Sequence, residues 1–369
     1  MNASRPVSSD SSDSTPRRFG DRYGCFVVVL LLVAFLASLV WAVRRPAAGV
    51  PAVLVIVAVA LLFMRYATRR EREEQAHDVA RLKAVAPPVG DAWHKLLEAE
   101  GLGAHVEPLR SLVRPALRLA TQSQADAPVG QSRIGGSPDL PPELAWPVHQ
   151  GKPLAFLAQL DLAELRPTLP HSPLPPDGHL WFFHAADQPW GFDPKDAGSS
   201  LVLYRPGAPS LERRADPADL PDGGRFNPCA IRVEAYDDLP DLDEHHPLDS
   251  GLSEAQQEQY LAVRDYLSSG GAGPSHKLLG FAQPIQGPME LECALVTHGL
   301  YCGDPTGYSD PRAKELEKNR QQWRLLLQLD SDDAASMMWG DVGRVYFWIR
   351  DEDLRQHRFE RTWTILQCH

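Results

Sequence analysis

Cysteine is scarce and scattered in this chain of 369 residues: Cys25, Cys229, Cys293, Cys302 and Cys368 are odd in number and form no C-x-x-C pair. A disulfide framework and a structural zinc site both need paired or closely spaced cysteines, so neither is expected, and a reducing compartment fits. Basic charge is also in deficit, 37 Lys and Arg against 48 Asp and Glu, a formal net charge of -11. General binding to nucleic acid needs basic surface and is not expected. Several catalytic signatures are missing: there is no G-x-S-x-G elbow, no G-x-x-x-x-G-K-[ST] phosphate loop, no H-E-x-x-H and no G-x-G-x-x-G after a strand.

What is present begins with two apolar runs, CFVVVLLLVAFLASLVWAV at 25–43 and AAGVPAVLVIVAVALLFM at 47–64, each free of Asp, Glu, Lys and Arg. Runs of about 18 to 20 apolar residues match the roughly 30 Å hydrocarbon core of a bilayer, so two transmembrane helices are expected there. Arg17, Arg18 and Arg22 precede the first run, and Arg65, Arg69, Arg70 and Arg72 follow the second. The positive-inside rule then places both ends in the cytoplasm and the turn at 44–49 outside, giving a multi-pass inner-membrane protein whose first partner is the lipid bilayer, through residues 25–64. Residues 1–24 read as a disordered cytosolic tail. The charged stretch 67–105 reads as a juxtamembrane helical stalk, with a short helix over 91–101 ended by Gly101.

From Val106 the character changes to short apolar runs between proline and glycine turns, the pattern of strands. An internal echo organises this region. LAFLAQLD at 154–161 is repeated as WRLLLQLD at 323–330; downstream, GHLWFF from Gly178 parallels GRVYFW from Gly343; upstream, RIGG from Arg133 parallels KLLG from Lys277. Three matches in one order predict two related β-rich halves, about 130–235 and 275–369, folded against each other. The fold class expected is α+β, a mixed sheet core with peripheral helices, preceded by the two transmembrane helices. Between the halves, 236–250 reads as a solvated acidic loop. A helix over 253–268 is marked by the Ser253/Gln256 capping box, an apolar face of Tyr260, Val263 and Leu267, and the Gly270-Gly271 stop. Residues 311–322 suggest a short exposed helix.

The strings SRIGGSPDLP from Ser132, Trp146-Pro147, FLAQLDL from Phe156, HKLLGF from His276, LQLDSDD from Leu327, MMWGDVG from Met337 and ILQC from Ile365 resemble the ordered motifs of the YwqG-like family (DUF1963), a domain of unknown function. The resemblance covers about 106–369. It implies an α+β domain with a duplicated sheet core and no established activity. Because some members sit near toxin and immunity systems, it also implies a protein-binding role.

Candidate site residues follow from their surroundings. Asp330, Asp332 and Asp341 fall at positions 1, 3 and 12 of a calcium-loop count, although positions 5 and 6 are Ala334 and Ala335. No cofactor is expected; calcium or another divalent cation is the ion this acidic segment would take. Trp146 and Trp339, each beside a turn residue, are candidates to line a groove, or else to cover a core edge. Gln159 and Gln328, each ending an apolar run, are candidates to hydrogen-bond across the two halves. His276, inside a motif, is the first histidine to test as an acid or base, ahead of His369 and the His245-His246 pair. Trp146, Gln159, His276, Gln328, Trp339 and Asp341 together form the expected ligand or partner cleft. Two functions are expected from these features: a membrane-anchored, immunity-like protein-binding module without catalysis, or a small-ligand or metal-dependent enzyme using the cleft around 330–341.

Overall fold

In the computed structural model, which describes residues 76–84, 92–123, 128–242, 251–271 and 273–369, each echoed apolar run is a strand covered on both faces. The run at Ala155–Asp161 (here β6, following β1 Arg114–Ser123, β2 Arg133–Ile134, β3 Asp139–Leu140, β4 Val148–His149 and β5 Lys152–Pro153) is buried at every residue up to Leu160. Two-sided burial explains its continuous apolar composition, since neither face needs polar residues. The remaining strands are β7 His179–His184, β8 Ser200–Arg205, β9 Glu212–Arg213, β10 Cys229–Asp238, β11 Lys277–Leu279, β12 Trp323–Asp330, β13 Arg344–Arg350 and β14 Trp363–Gln367.

Ten of them form one sheet in the order β14-β13-β12-β11-β1-β10-β2-β6-β7-β8, with antiparallel pairing at each join. The long β1 and β10 lie at the centre, and four strands continue outward on either side. The two wings match in detail. The register slips between Phe156 and Ala158 on β6, and between Leu325 and Leu327 on β12, in each case just ahead of Gln-Leu-Asp. Gln159 then faces Trp181, and Gln328 faces Tyr346.

The sheet curls until its ends meet. Thr364 Oγ1 on β14 lies 2.7 Å from Ser200 Oγ on β8, and Trp363 Nε1 donates to the Gly191 carbonyl at 2.8 Å. Inside this barrel-like turn lies a core that includes Leu117, Leu160, Phe182, Leu327, Val345 and Phe347. Phe182 and Phe347, matching residues of the two wings, meet edge to face at 5.3 Å. The alternate residues Trp181 and Phe183 pack under the 140–154 segment. On the other wing, Tyr346 and Trp348 pack beneath the helix Glu290–Val296. Against β1 and β10 lie the helices Ala92–Ala99 and Glu254–Ser269, joined through Trp93, Leu97, Tyr236, Leu239 and Val263. The second of these has the expected capping box and ends on Gly270 in the left-handed region, φ +69°. The α+β architecture with peripheral helices is therefore present.

The chain divides into Met1–Asp78 and Val79–His369, and the architecture above is that of the second unit. Several expectations need correction. Among the described residues no helix is long and apolar enough to cross a membrane. The spans expected at 25–43 and 47–64, and the tail at 1–24, lie outside the described residues. The transmembrane hairpin, the bilayer partner and the inner-membrane location rested on hydropathy and arginine placement alone, and they are set aside. The stalk is not wholly solvated either, since Leu82 is buried with Trp93 and Leu97. Nor is the acidic stretch after Tyr236 all loop: Asp238 ends β10 fully buried, while 243–250 lies outside the described residues. The exposed helix expected at 311–322 is a helical turn Ala313–Leu316 continued by a 3-10 segment, Glu317–Gln322.

Candidate functional site

A buried glutamine has one acceptor and two donors to satisfy, and both echoed glutamines use them in the same way. Gln159 Oε1 accepts the Asp139 N–H at 2.8 Å, and its Nε2 donates to the Gln131 carbonyl at 2.8 Å. Gln328 Oε1 accepts the Gln283 N–H at 2.9 Å, and its Nε2 donates to the Ser275 carbonyl at 2.7 Å. Each therefore ties the start of a short strand to the loop that follows it, within its own wing rather than across the two. The neighbours repeat as well. Trp181 Nε1 donates to the Asp139 carbonyl at 2.8 Å, as Tyr346 Oη does to that of Gln283 at 2.7 Å. Arg133 donates to the Ser137 carbonyl, as Lys277 Nζ does to that of Phe281. The backbone turns through the left-handed region twice after each cation, at Gly135 and Gly136 and at Leu279 and Gly280. Both cations are fully buried on carboxylates, Arg133 on Asp139 at 3.1 Å and Lys277 on Asp238 at 2.9 Å. Burial pushes the Lys277 ammonium down to about 8 while Asp238 pulls it back up.

His276 serves this frame. Its Nδ1 accepts the Asp330 N–H at 3.0 Å, so that nitrogen is unprotonated, and Nε2 donates to Asp332 Oδ2 at 3.1 Å. Ser132 occupies the matching place and accepts the Asp161 N–H at 2.9 Å. With both ring nitrogens engaged and the side chain fully buried, His276 is a positioning residue. Asp332 also accepts from Thr121 Oγ1 at 2.7 Å and the Ala334 N–H at 2.8 Å. Burial alone would raise its pKa, but these three donors hold it at about 2. Asp330 accepts the Ser275 N–H at 2.9 Å and pairs with Arg344 at 3.2 Å. Trp339 is buried and donates to the Asp330 carbonyl at 3.1 Å. Asp341 stands exposed at the rim, where its carbonyl accepts the His369 N–H. Asp330 and Asp332 are thus spent on protein donors, Asp341 stands apart from them at the rim, and among the described residues no group of three or more His, Cys, Asp or Glu could hold a metal ion. The metal-dependent reading is withdrawn. His276, Gln328 and Trp339 come together around Asp330. Trp146 and Gln159 lie in the other wing, where Trp146 donates to the Leu154 carbonyl at 2.9 Å and meets Phe183 edge-on.

An accessible concavity lies elsewhere, at the outer end of β6 and β7. A cleft of about 490 Å³ is lined by Val129, Asp161, Glu164, His179, Pro209 and Leu211, among others. Asp161 and His179 face each other in register, as Asp330 and Arg344 do in the second wing. The contents differ. Asp330 has its guanidinium at 3.2 Å, whereas His179 Nε2 stands 4.0 Å from Asp161 Oδ2 and donates instead to the Gly130 carbonyl at 3.1 Å. Asp161 Oδ1 caps the helix Leu162–Leu165 through the Ala163 N–H, and Glu164 Oε2 accepts the Ser132 N–H at 3.2 Å. One oxygen of each carboxylate is left for the cleft. The sequence carried the signal for this site in its echo, where His179 stands in the place of Arg344 opposite a retained aspartate, yet spacing alone did not mark it as a cleft.

With the anchor set aside, the membrane-tethered form of the protein-binding reading is dropped. No curated protein matches the chain. The family model for a domain of unknown function, DUF1963, matches residues 132–368. That span takes in Gln159, Gln328 and every outer strand of the sheet, and the chain belongs to the DUF1963 family.

Proposed function

We propose that this domain binds a small organic cation in the cleft between the 128–131 segment and the outer end of β6 and β7. The observation that carries the reading is the carboxylate of Asp161, which has no cation within hydrogen-bonding distance although its counterpart Asp330 has one. The Asp161 side chain is 31% exposed, so a charge-assisted contact there contributes on the order of 1 kcal/mol. That is too little to hold a bare ion. The walls supply the rest: covering about 100 Å² of an aliphatic stem against Val129, Pro209 and Leu211 adds roughly 2.5 kcal/mol. The ligand is thus cationic at one end and apolar along its body, held with a dissociation constant on the order of a millimolar.

Calorimetric titration of the full-length chain with matched organic monocations and monoanions tests this. Saturable binding is expected for cations alone, weakening as salt is added, and lost in Asp161→Asn, which keeps a good helix cap. Equal binding by Asp161→Asn, or no saturation by any cation up to about 10 mM, would rule the reading out.

A further inference from the structure

We infer that the cationic group this cleft selects is a guanidinium; the inference rests on the cation-binding reading above and takes the ligand's chemistry from the second wing. Arg344 shows what the frame holds opposite the aspartate of Gln-Leu-Asp. Its Nε lies 3.2 Å from Asp330 Oδ1, and its Nη1 donates to the Gln283 carbonyl at 3.1 Å. The group held there is a planar cation that pairs with a carboxylate by charge, its Nε making no hydrogen bond, and donates from Nη1 to a backbone carbonyl. The first wing offers two carboxylates instead, and no guanidinium of its own. Asp161 Oδ2 and Glu164 Oε1 hold no hydrogen bond among the described residues, and both side chains line the cleft. The five donors of a guanidinium can serve two such oxygens at once, whereas an ammonium is a compact and strongly hydrated point charge that gains less from a second planar acceptor.

Two further features of the cleft suit a flat cation. His179 is stacked on Trp181, ring centroids 5.5 Å apart and planes 18° from parallel, so the wall it forms is a fixed aromatic plane, a surface on which guanidinium groups stack. His179 is also more than nine-tenths buried, and its Nδ1 has no hydrogen-bond partner. That nitrogen is the ring's acceptor, buried in the wall of the cleft behind the nitrogen that donates to Gly130.

The test uses butylguanidinium and butylammonium, which share a stem and a single charge, titrated calorimetrically into the full-length chain. Butylguanidinium is expected to bind at least about fivefold more tightly, because one planar group with five donors can serve one oxygen of each of the two carboxylates. A smaller ratio, with both probes binding, overturns the guanidinium inference and leaves the cation site standing. Binding of neither probe overturns both. His179→Arg supplies a guanidinium from the chain itself at the position Arg344 occupies in the second wing. It is expected to weaken butylguanidinium at least about tenfold while the thermal transition shows the chain still folded. Wild-type affinity in a folded His179→Arg chain would overturn the inference, and the two-probe comparison on the wild-type chain decides the matter independently of that variant.

Discussion

The two wings of the sheet share a frame and differ in what they fill it with. Both have a buried cation at the first strand, a glutamine brace, an aromatic donor to the braced loop and a register slip before Gln-Leu-Asp. The differences lie at three matching places. Arg344 neutralises Asp330, where His179 leaves Asp161 open. His276 and Asp332 tie the second wing to Thr121 of β1, where Ser132 makes the single bond to Asp161. Ile349 fills the core at the end of β13, where β7 places His184. What is kept satisfies buried backbone groups, which no wing can forgo. What varies is the residue opposite the aspartate, the side chain that accepts the aspartate's N–H, and the residue at the end of the outer strand.

The strongest way to break the comparison is to remove the braces. Gln159→Leu and Gln328→Leu each strand a buried N–H and a buried carbonyl, and each is expected to destabilise the domain by about 3–5 kcal/mol. Urea unfolding of the two variants measures it. Losses that differ by more than about a factor of two, beyond the usual context dependence, would show that the matching bonds are not equivalent.

Next comes the histidine that the second wing lacks. His184 is 1% exposed, neither ring nitrogen has a partner, and Trp339 lies edge-on at 6.4 Å. Burial pushes its pKa down to about 4, against a small opposing pull from Asp187. Because the folded value lies below the unfolded value of about 6.5, the unfolded chain takes up the proton first. Stability is therefore full above about pH 6.5 and falls by about 3 kcal/mol as pH drops toward 4. His184→Ile, which installs the residue of the other wing, is expected to abolish that slope and to add about 1–2 kcal/mol at neutral pH by removing the desolvated nitrogens. A chemical-denaturation series from pH 7 to pH 4 on both proteins is the measurement; a slope that survives in His184→Ile counts against the assignment.

Asp332 sharpens the contrast from the other side, since three donors hold its carboxylate at about 2. A folded pKa below the unfolded value of about 3.9 gives stability that is present above about pH 4 and lost as pH falls toward 2. Asp332→Asn is expected to cost about 2 kcal/mol at pH 5, with the deficit against wild type closing by pH 2. A deficit that stays constant across that range would mean that the carboxylate's charge is not what the three donors stabilise.

Much of this frame was legible in the chain. The echoes found the wings because a strand covered on both faces must be apolar without interruption, and because glycine must precede β7 and β13 where the chain turns in. Gly178 is at φ +96°, and a Cβ there would collide with the Arg205 carbonyl. The capping box found the helix Glu254–Ser269 for an equally local reason. The acceptors of the braces were not legible. Asp139 and Gln283 lie in dissimilar strings, and a backbone N–H leaves no mark in sequence. The central strands had no echo of their own, and the buried pair Lys277 and Asp238 joins residues 39 apart in the chain. The cleft escaped because a site that is open in one wing and filled in the other shows itself only when the registers of both are laid side by side.

The mildest substitution separates cause from coincidence in that difference. Arg344→His gives the second wing the residue that opens the first. The Arg344 and Asp330 side chains are 24% and 12% exposed, so solvent screens part of the pair and its loss is expected to cost only about 1 kcal/mol, read from the urea midpoint. The larger consequence is in binding. If the residue opposite the aspartate decides whether a wing is open, the variant acquires a second place for butylguanidinium, and the calorimetric stoichiometry rises from one toward two. Unchanged stoichiometry would instead assign the opening to the 128–131 and 208–211 segments, which line the first wing's cleft, and the single exchange of His for Arg would be a consequence of the cleft's shape rather than its origin.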